Sequence, residues 1–410
     1  VARSFIGFVI MLKKNILKII RILIYDRPVP LIFILLILMI TYFAIGSYRY
    51  WILGPFDLHD RWAEIQYFIR GIDPFDIVMG TTEDLSEIGK VSSYGGYVPW
   101  AYILALPLVP PLPYGVVKFW YFGVMLFSFL ITFFLFYQYC RRLGLSCNHS
   151  LLISSAALCN WGLVYGLRWG QYSLPVLAAL TVYMIAIERN KPILGGVSLS
   201  IAMIKPQVAF LFGFVAIAKK KWRLLAVAIF IVITSWIAVA AWLDKSIWSL
   251  LAVKANQNTA IGYYYGLFNE IIINSQHREL WILSSGIFFI ILMVLVTFLQ
   301  SGRSITYHMA IAGLASTMWT YSGPYDSIVL SFLICYLLLQ YYFKVQNFHF
   351  MLLLFASAIL VWQPTGISHG IIWPVPIIMR TVWVTALYLA ITSEKPVPLM
   401  PKNVAKDLNA

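Results

Sequence analysis

Two carboxylates and a few isolated cations are where chemistry could rest in a chain made mostly of apolar side chains. Asp57 and Asp60 stand three positions apart, soon after the first long apolar run. A carboxylate there can take the proton of an attacking hydroxyl, and partial desolvation raises its pKa toward the working range. The plain alternative is a solvated acid paired with Arg61 or His59. Lys205 interrupts SLSIAMI-K-PQVAFLF, where a charge is costly and is either functional or paired. Pro206 removes a backbone donor and disfavours helix at the residue before it, so the chain breaks there. A cation at such a break suits a phosphate, unless it snorkels to the interface. Arg168, in GLRWGQ (166–171) beside two glycines, is a second phosphate-clamp candidate, with guanidinium geometry matched to phosphate oxygens. Asn256 and Gln257 supply neutral donors, and Asp326, in YSGPYD (321–326), is an acid at the mouth of a span. Arg380, in IIMRTVW (377–383), either pairs or points into a cavity.

The elements that must position these groups follow from composition. Of 410 residues, 61% are apolar and 11% charged, against about 25% charged in soluble domains, so the bilayer is the solvent and the fold class is an all-α polytopic membrane protein. The net charge of +14 comes as short basic clusters between apolar runs, the pattern of cytoplasmic loops and not of a nucleic-acid surface. Cys140, Cys147, Cys159 and Cys335 show no metal-ligand spacing and fall in spans or inner loops, so neither zinc nor a disulfide is expected. Basic residues ahead of Leu31, with no small-residue cleavage site after the apolar run, read as an uncleaved anchor.

Spans are expected near 28–48, 115–139, 150–166, 171–187, 193–204, 206–218, 224–243, 281–299, 305–320, 326–345, 347–363 and 370–391, about 12 in all. They form one transmembrane domain, 28–391, between a basic segment, 1–27, and a tail, 392–410. Arg141, Arg142, Arg189, Lys191 and the KKKWR cluster at 219–223 all face the cytoplasm under the positive-inside rule only if Lys205-Pro206 is the outer tip of a hairpin. Both termini then lie inside. Two outer segments, 49–114 and 244–280, are too long to be simple turns, and such loops are usually functional. The first holds Asp57, Asp60, Glu64, Asp73, Asp76, Glu83, Asp84 and Glu87, half of the chain's 16 acids. Its RWAEIQYFIRG (61–71) places Trp62, Ile65, Phe68 and Ile69 at helical spacing for a helix along the membrane surface, and 98–113 suggests a second, broken by prolines.

Asp57, Arg168, Lys205, Asn256 and Asp326 all fall on one membrane face under a topology fixed by other residues. A transport pathway instead calls for ionisable groups near the midplane and pseudo-symmetric halves. Neither is seen apart from Arg380, although a lipid transporter or flippase would also need a basic phosphate site and is the competing reading.

From about residue 30 to 345 the chain resembles the GT-C superfamily of polyprenyl-phosphate-sugar-dependent glycosyltransferases, and within it glycosyltransferase family 87, the mycobacterial-type mannosyltransferases and their bacterial relatives. The resemblance rests on Asp57 with DLHDRWAEIQYFIRGIDPFD (57–76), above all its D-P-aromatic-D turn from Asp73 to Asp76. YVPW, LPLVPPLPYGVVKFW, Gly170-Gln171, Lys205-Pro206-Gln207, KKKWR, Asn256-Gln257 and Tyr325-Asp326 follow in order. It implies a GT-C fold with a long first extracytoplasmic loop carrying short juxtamembrane helices, in a multi-pass plasma (inner) membrane protein. It also implies a polyprenyl-phosphate-linked sugar donor, mannose foremost, a glycolipid or cell-envelope glycan acceptor met on the extracytoplasmic side, and an inverting transfer without metal or cofactor. Asp57 matches the family's catalytic base, with Asp60 as runner-up. Lys205 and Arg168 are expected at the donor phosphate, and Gln171, Gln207, Asn256, Gln257, Tyr325 and Asp326 at the substrates. Where mycobacterial-type members commonly carry a His-containing motif, this chain has GPYDS (323–327).

Overall fold

The computed structural model describes residues 28–89, 91, 97–250, 278–318, 324–343 and 385, and among these the regular structure is helical throughout. The first helix, α1 (Val29–Leu53), has 25 residues and covers about 37 Å at 1.5 Å per residue, more than a hydrocarbon core of about 30 Å. Phe33, Ile34, Ile37 and Ile40 lie exposed on one side, while Ile32, Leu35 and Met39 are buried on the other. An apolar outer face is what contact with lipid tails requires. Gly54, at φ +78°, ends α1, and Pro55 precedes α2 (Phe56–Ile69). Two short helices follow, α3 (Pro74–Val78) and α4 (Ala101–Ala105), before α5 (Tyr114–Arg142).

Next come α6 (Cys147–Leu158) and α7 (Trp161–Trp169), bent by 54° at their junction, where the Asn160 side chain accepts from Gly162 N and caps α7. They lead to α8 (Ser173–Glu188), α9 (Pro192–Ala202), α10 (Pro206–Ala209), a 3-10 turn (Phe210–Phe212), α11 (Gly213–Ala218) and α12 (Trp222–Trp242). The last described elements are α13 (Arg278–Leu299), α14 (Ile305–Ser316), a 3-10 segment (Pro324–Leu330) and α15 (Ser331–Phe343). By length and composition α1, α5, α12 and the run Tyr325–Tyr342 can each cross a membrane, and α6 with α7 can do so as one broken span. Within the described residues, every apolar run picked out up to residue 343 coincides with a helix or a helix pair. The runs at 347–363 and 370–391 with Arg380 lie outside the described residues. So do the segment 1–27, the tail 392–410, and the part of the second outer segment that holds Asn256 and Gln257.

Two ends of the bundle are distinguished by their contacts. Arg142 pairs with Glu188 at 3.5 Å, Lys221 Nζ donates to Asn190 Oδ1 at 3.0 Å, and Lys219 Nζ donates to the Ser301 carbonyl at 2.9 Å. These contacts join the turns after α5, α8, α11 and α13 into one basic end. At the other end the start of α2, the α7–α8 turn, the α9–α10 break and the start of Pro324–Leu330 converge. The hairpin expected at Lys205 is present, but its arms are short. The 11 residues of α9 cover only about 16 Å, so the break stops inside the bundle and Lys205 is 1% exposed. It is therefore neither a surface tip nor a snorkelling lysine.

The first outer loop is tied down by indole donors. Trp62 Nε1 donates to the Leu112 carbonyl at 2.7 Å, Trp242 Nε1 to that of Phe68 at 2.7 Å, and Trp100 Nε1 to that of Met203 at 2.9 Å. The last bond satisfies a carbonyl freed where α9 ends. The Asp73–Asp76 turn is an N-cap, with Asp73 accepting from Phe75 N at 2.9 Å. Both its carboxylates also bind Lys245, just past α12, at 2.6 and 2.8 Å. The helix expected at 61–71 begins earlier, at Phe56, so Asp57 sits on a helix and not in a loop. Of the proline-broken helix expected at 98–113 only α4 forms.

Gly195 and Gly196 let α9 approach its neighbours closely. A Cβ on Gly196 would lie 2.5 Å from the Val227 side chain and 2.9 Å from the Leu224 carbonyl oxygen. Gly196→Val is expected to lower the thermal midpoint of the detergent-purified protein, at a cost of about 1–3 kcal/mol for overpacking. Gly123→Val, at a site where a Cβ meets nothing within 4 Å, should leave it unchanged. Equal midpoints for the two variants would disprove the close packing of α9.

Candidate active site

Asp57, Arg61 and Glu64 recur along α2 at spacings of four and three, which puts them on one helical face, and that face turns into the bundle. Arg61 is 8% and Glu64 2% exposed, while Asp57 is half-buried. Arg61 Nη1 donates to both Glu64 oxygens, at 2.7 and 2.8 Å, and the guanidinium lies 4.5 Å from the centre of the Tyr97 ring. The start of α2 is seated by Gly170, which holds φ +68° and would place a Cβ 2.7 Å from Leu58 Cβ. Only a residue with no Cβ accepts both that backbone and that approach without strain.

Lys205 lies at the centre of the site. Its Nζ donates to Asp326 Oδ1 at 2.5 Å, to Ser173 Oγ at 2.9 Å and to Gln171 Oε1 at 3.2 Å, and stands 4.3 Å from the centre of the Tyr325 ring. Ser173 Oγ in turn donates to Asp326 Oδ1 at 2.8 Å. An ammonium has three donors and no acceptor, and here all three find partners. Asp326 is as buried as the lysine, at 1%, so the two charges neutralise each other away from water. The sequence places these groups together by breaking helices: α7 ends at Gly170, α9 ends before Pro206, and a 3-10 segment carries Tyr325 and Asp326.

Gln171 links this cluster to α2. Its Oε1 accepts from Lys205 and from the Tyr97 hydroxyl at 2.8 Å, and its Nε2 donates to Asp57 Oδ2. Burial pushes the Asp57 carboxyl above its ordinary range, an effect that Arg61 and the Gln171 hydrogen bond offset in part. The result is a desolvated carboxylate under the electrostatic influence of Arg61 and Lys205 but paired with neither, an environment in which an acid is poised as a proton acceptor.

Of the residues picked out from sequence, Asp57, Gln171, Lys205, Tyr325 and Asp326 come together. Asp60 lies one turn along α2, where its charge helps to raise the Asp57 pKa. Gln207 is half-buried at the start of α10. Arg168 belongs to the last turn of α7, beside the ring of Trp169 at 5.7 Å, and makes no hydrogen bond or ion pair among the described residues. Asn256 and Gln257 lie outside those residues. Sequence reasoning gave no site role to Arg61, Glu64, Tyr97 or Ser173. The helical spacing of Asp57, Arg61 and Glu64 was the available signal for the first two, Tyr97 opens the YVPW segment without any further mark, and nothing local marks Ser173.

A buried pair costs most when half of it is removed, because the remaining charge is left without a partner. Lys205→Met and Asp326→Leu should each destabilise the protein by about 3–5 kcal/mol, and the double variant should lose clearly less than their sum. Strict additivity in chemical denaturation would show that the two charges do not depend on each other.

A family model described as Glycosyltransferase family 87 matches residues 97–339. No curated protein and no solved structure matches the chain. The matched stretch contains Tyr97, Arg168, Gln171, Ser173, Lys205, Tyr325 and Asp326. Asp57 and Arg61 precede it, yet Asp57 is bonded to Gln171 inside it. More than half of the chain thus fits one family, in a bundle of apolar helices with ionisable groups gathered at one end, and the protein belongs to glycosyltransferase family 87.

Proposed function

We propose that this glycosyltransferase moves a hexose, mannose foremost, from a polyprenyl-phosphate-linked donor to a glycolipid or cell-envelope glycan in a single inverting displacement, with Asp57 as general base. The observation that carries this reading is the half-buried Asp57 carboxylate, its pKa raised by burial, hydrogen-bonded to Gln171 at the end of the bundle away from the basic turns. The positive-inside rule assigns that basic end, and with it both termini, to the cytoplasm. The site then faces the extracytoplasmic side of the plasma membrane, where the acceptor lies.

In the proposed step the acceptor hydroxyl rests on Asp57, opposite the phosphate across C1 of the sugar. The hydroxyl oxygen bonds to C1 as Asp57 takes its proton. The bond from C1 to the phosphate oxygen breaks, and polyprenyl phosphate leaves with that electron pair. One displacement inverts the anomeric carbon, as in inverting glycosidases. Arg168, with no carboxylate partner among the described residues, supplies the direct phosphate contact. Lys205, engaged by Asp326, contributes its charge from beneath, and positioned charges act strongly where water is excluded. Tyr325 and Gln207, with Asn256 and Gln257 of the second outer segment, complete the proposed substrate-binding set.

Purified protein in liposomes containing radiolabelled polyprenyl-phosphate sugar should consume the donor when acceptor is present. Movement of intact donor between leaflets without consumption would instead establish transport. Asp57→Asn should reduce transfer by about 10²- to 10⁴-fold, and Arg168→Ala by about 10²-fold, on the scale of a lost oxyanion donor. Full activity in either variant would remove that residue from the mechanism.

The raised Asp57 pKa sets the pH dependence. Transfer needs the ionised form, so activity should fall on acidification through a limb above the ordinary carboxylate range. The stability effect has the opposite sign. A folded pKa above the unfolded value means that the native state holds the proton more readily, so ionising Asp57 opposes folding above the folded pKa, and this penalty vanishes below the unfolded one. Asp57→Asn should therefore match or exceed the wild-type thermal midpoint at neutral pH despite its loss of transfer activity, and a clearly lowered midpoint would contradict the desolvation argument.

A further inference from the structure

We infer that Gln171 is the positioning residue for the base: held at its carbonyl by Lys205 and Tyr97, it fixes Asp57 through Oδ2 and leaves Oδ1 to receive the acceptor proton. The inference rests on Asp57 being the base, and it gives Gln171 a different task from the substrate contact suggested by sequence resemblance.

The argument begins with which way the amide points. An ammonium can only donate, so the atom of Gln171 that meets Lys205 Nζ at 3.2 Å must be Oε1. The Tyr97 hydroxyl, 2.8 Å from the same atom, then acts as a second donor. With the carbonyl committed twice, Nε2 is left to face Asp57, and a carboxylate is an acceptor for it. Lys205 is itself fixed by Asp326 and Ser173. A buried ion pair thus determines the orientation of a neutral amide, and the amide determines the orientation of the carboxylate. Among the described residues the Asp57 side chain has no other hydrogen bond, so Oδ1 is its open acceptor.

A substrate ligand and a positioning residue differ in kinetics. Loss of a ligand weakens binding, whereas loss of the positioner lowers turnover and shifts the ionisation of the base. The test uses the purified full-length enzyme in liposomes, with kcat, KM for donor and acceptor, and their pH profiles measured for wild type, Gln171→Ala, Gln171→Glu, Tyr97→Phe and Asp57→Asn. Gln171→Ala should lower kcat by about 10- to 100-fold, as expected for a misplaced reacting group, with each KM within about threefold of wild type. Losing a hydrogen bond to the ionised carboxylate raises its pKa, so the acid limb should move up by roughly one pH unit. Gln171→Glu keeps the size of the side chain but sets a second acid against Asp57 and should move the limb further in the same direction. Tyr97→Phe should show the same signs more weakly, because Lys205 still holds Oε1.

An increased KM with kcat and acid limb unchanged would make Gln171 a substrate ligand, and wild-type kinetics would deny it any role. Either result overturns the inference while leaving the base assignment intact, provided that Asp57→Asn is inactive. Full activity in Asp57→Asn would reject the base assignment itself. If Gln171→Ala fails to fold, the pH profiles of the isosteric Gln171→Glu and of Tyr97→Phe decide the matter.

Discussion

An ammonium group with 1% of its surface exposed has to find an anion and fill three donors within the protein, because no water is there to do either. Lys205 meets that demand with side chains from two separate stretches of chain: Gln171 and Ser173 around the start of α8, and Asp326 with the face of the Tyr325 ring in the 3-10 segment. Each partner must arrive at a place where a helix has stopped, since a continuous helix would carry it past. The breaks at Gly170, at Pro206 and ahead of α15 therefore answer a single electrostatic requirement.

That requirement also explains why the functional end is recessed. The two arms of the hairpin around Lys205 are each too short to traverse a bilayer, so the charge is buried inside the bundle. The first outer loop closes over the gap, with α2 across it and Trp100 donating to the Met203 carbonyl at the end of α9. A desolvated carboxylate on the buried side of α2 follows from this arrangement, because the helix that carries Asp57 also covers the site.

Much of the fold could be read from sequence because apolar length is a strong and local signal. The long runs that became α1, α5 and α12 needed only counting, and the basic turns marked which helix ends would gather together. The break at Lys205-Pro206 was legible for the same reason: a charge and a proline inside an apolar run have few structural explanations. The depth of that break was not legible, because it depends on how close α8 and α12 come to α9, which Gly195 and Gly196 decide through contacts far apart in sequence. The site divides in the same way. Asp57, Lys205 and Asp326 stood out by residue type and place and Gln171 through the family resemblance, but nothing in the sequence said that Lys205 would be spent on Asp326, or that Arg61 would be spent on Glu64. Those pairings are set by which side of a helix faces inward, and Ser173 and Tyr97 join the network only through distant neighbours.

The bridge between the Asp73–Asp76 turn and Lys245 bears on how the family can diversify. The first outer loop is fastened at its far end to a lysine that lies beyond α12, at 2.6 and 2.8 Å, with Trp242 holding Phe68 close by. The loop is thus a cartridge whose socket is encoded some 170 positions downstream. Recombination that exchanges the loop alone would leave two acids without their anchor, so a grafted loop has to carry the lysine together with the turn.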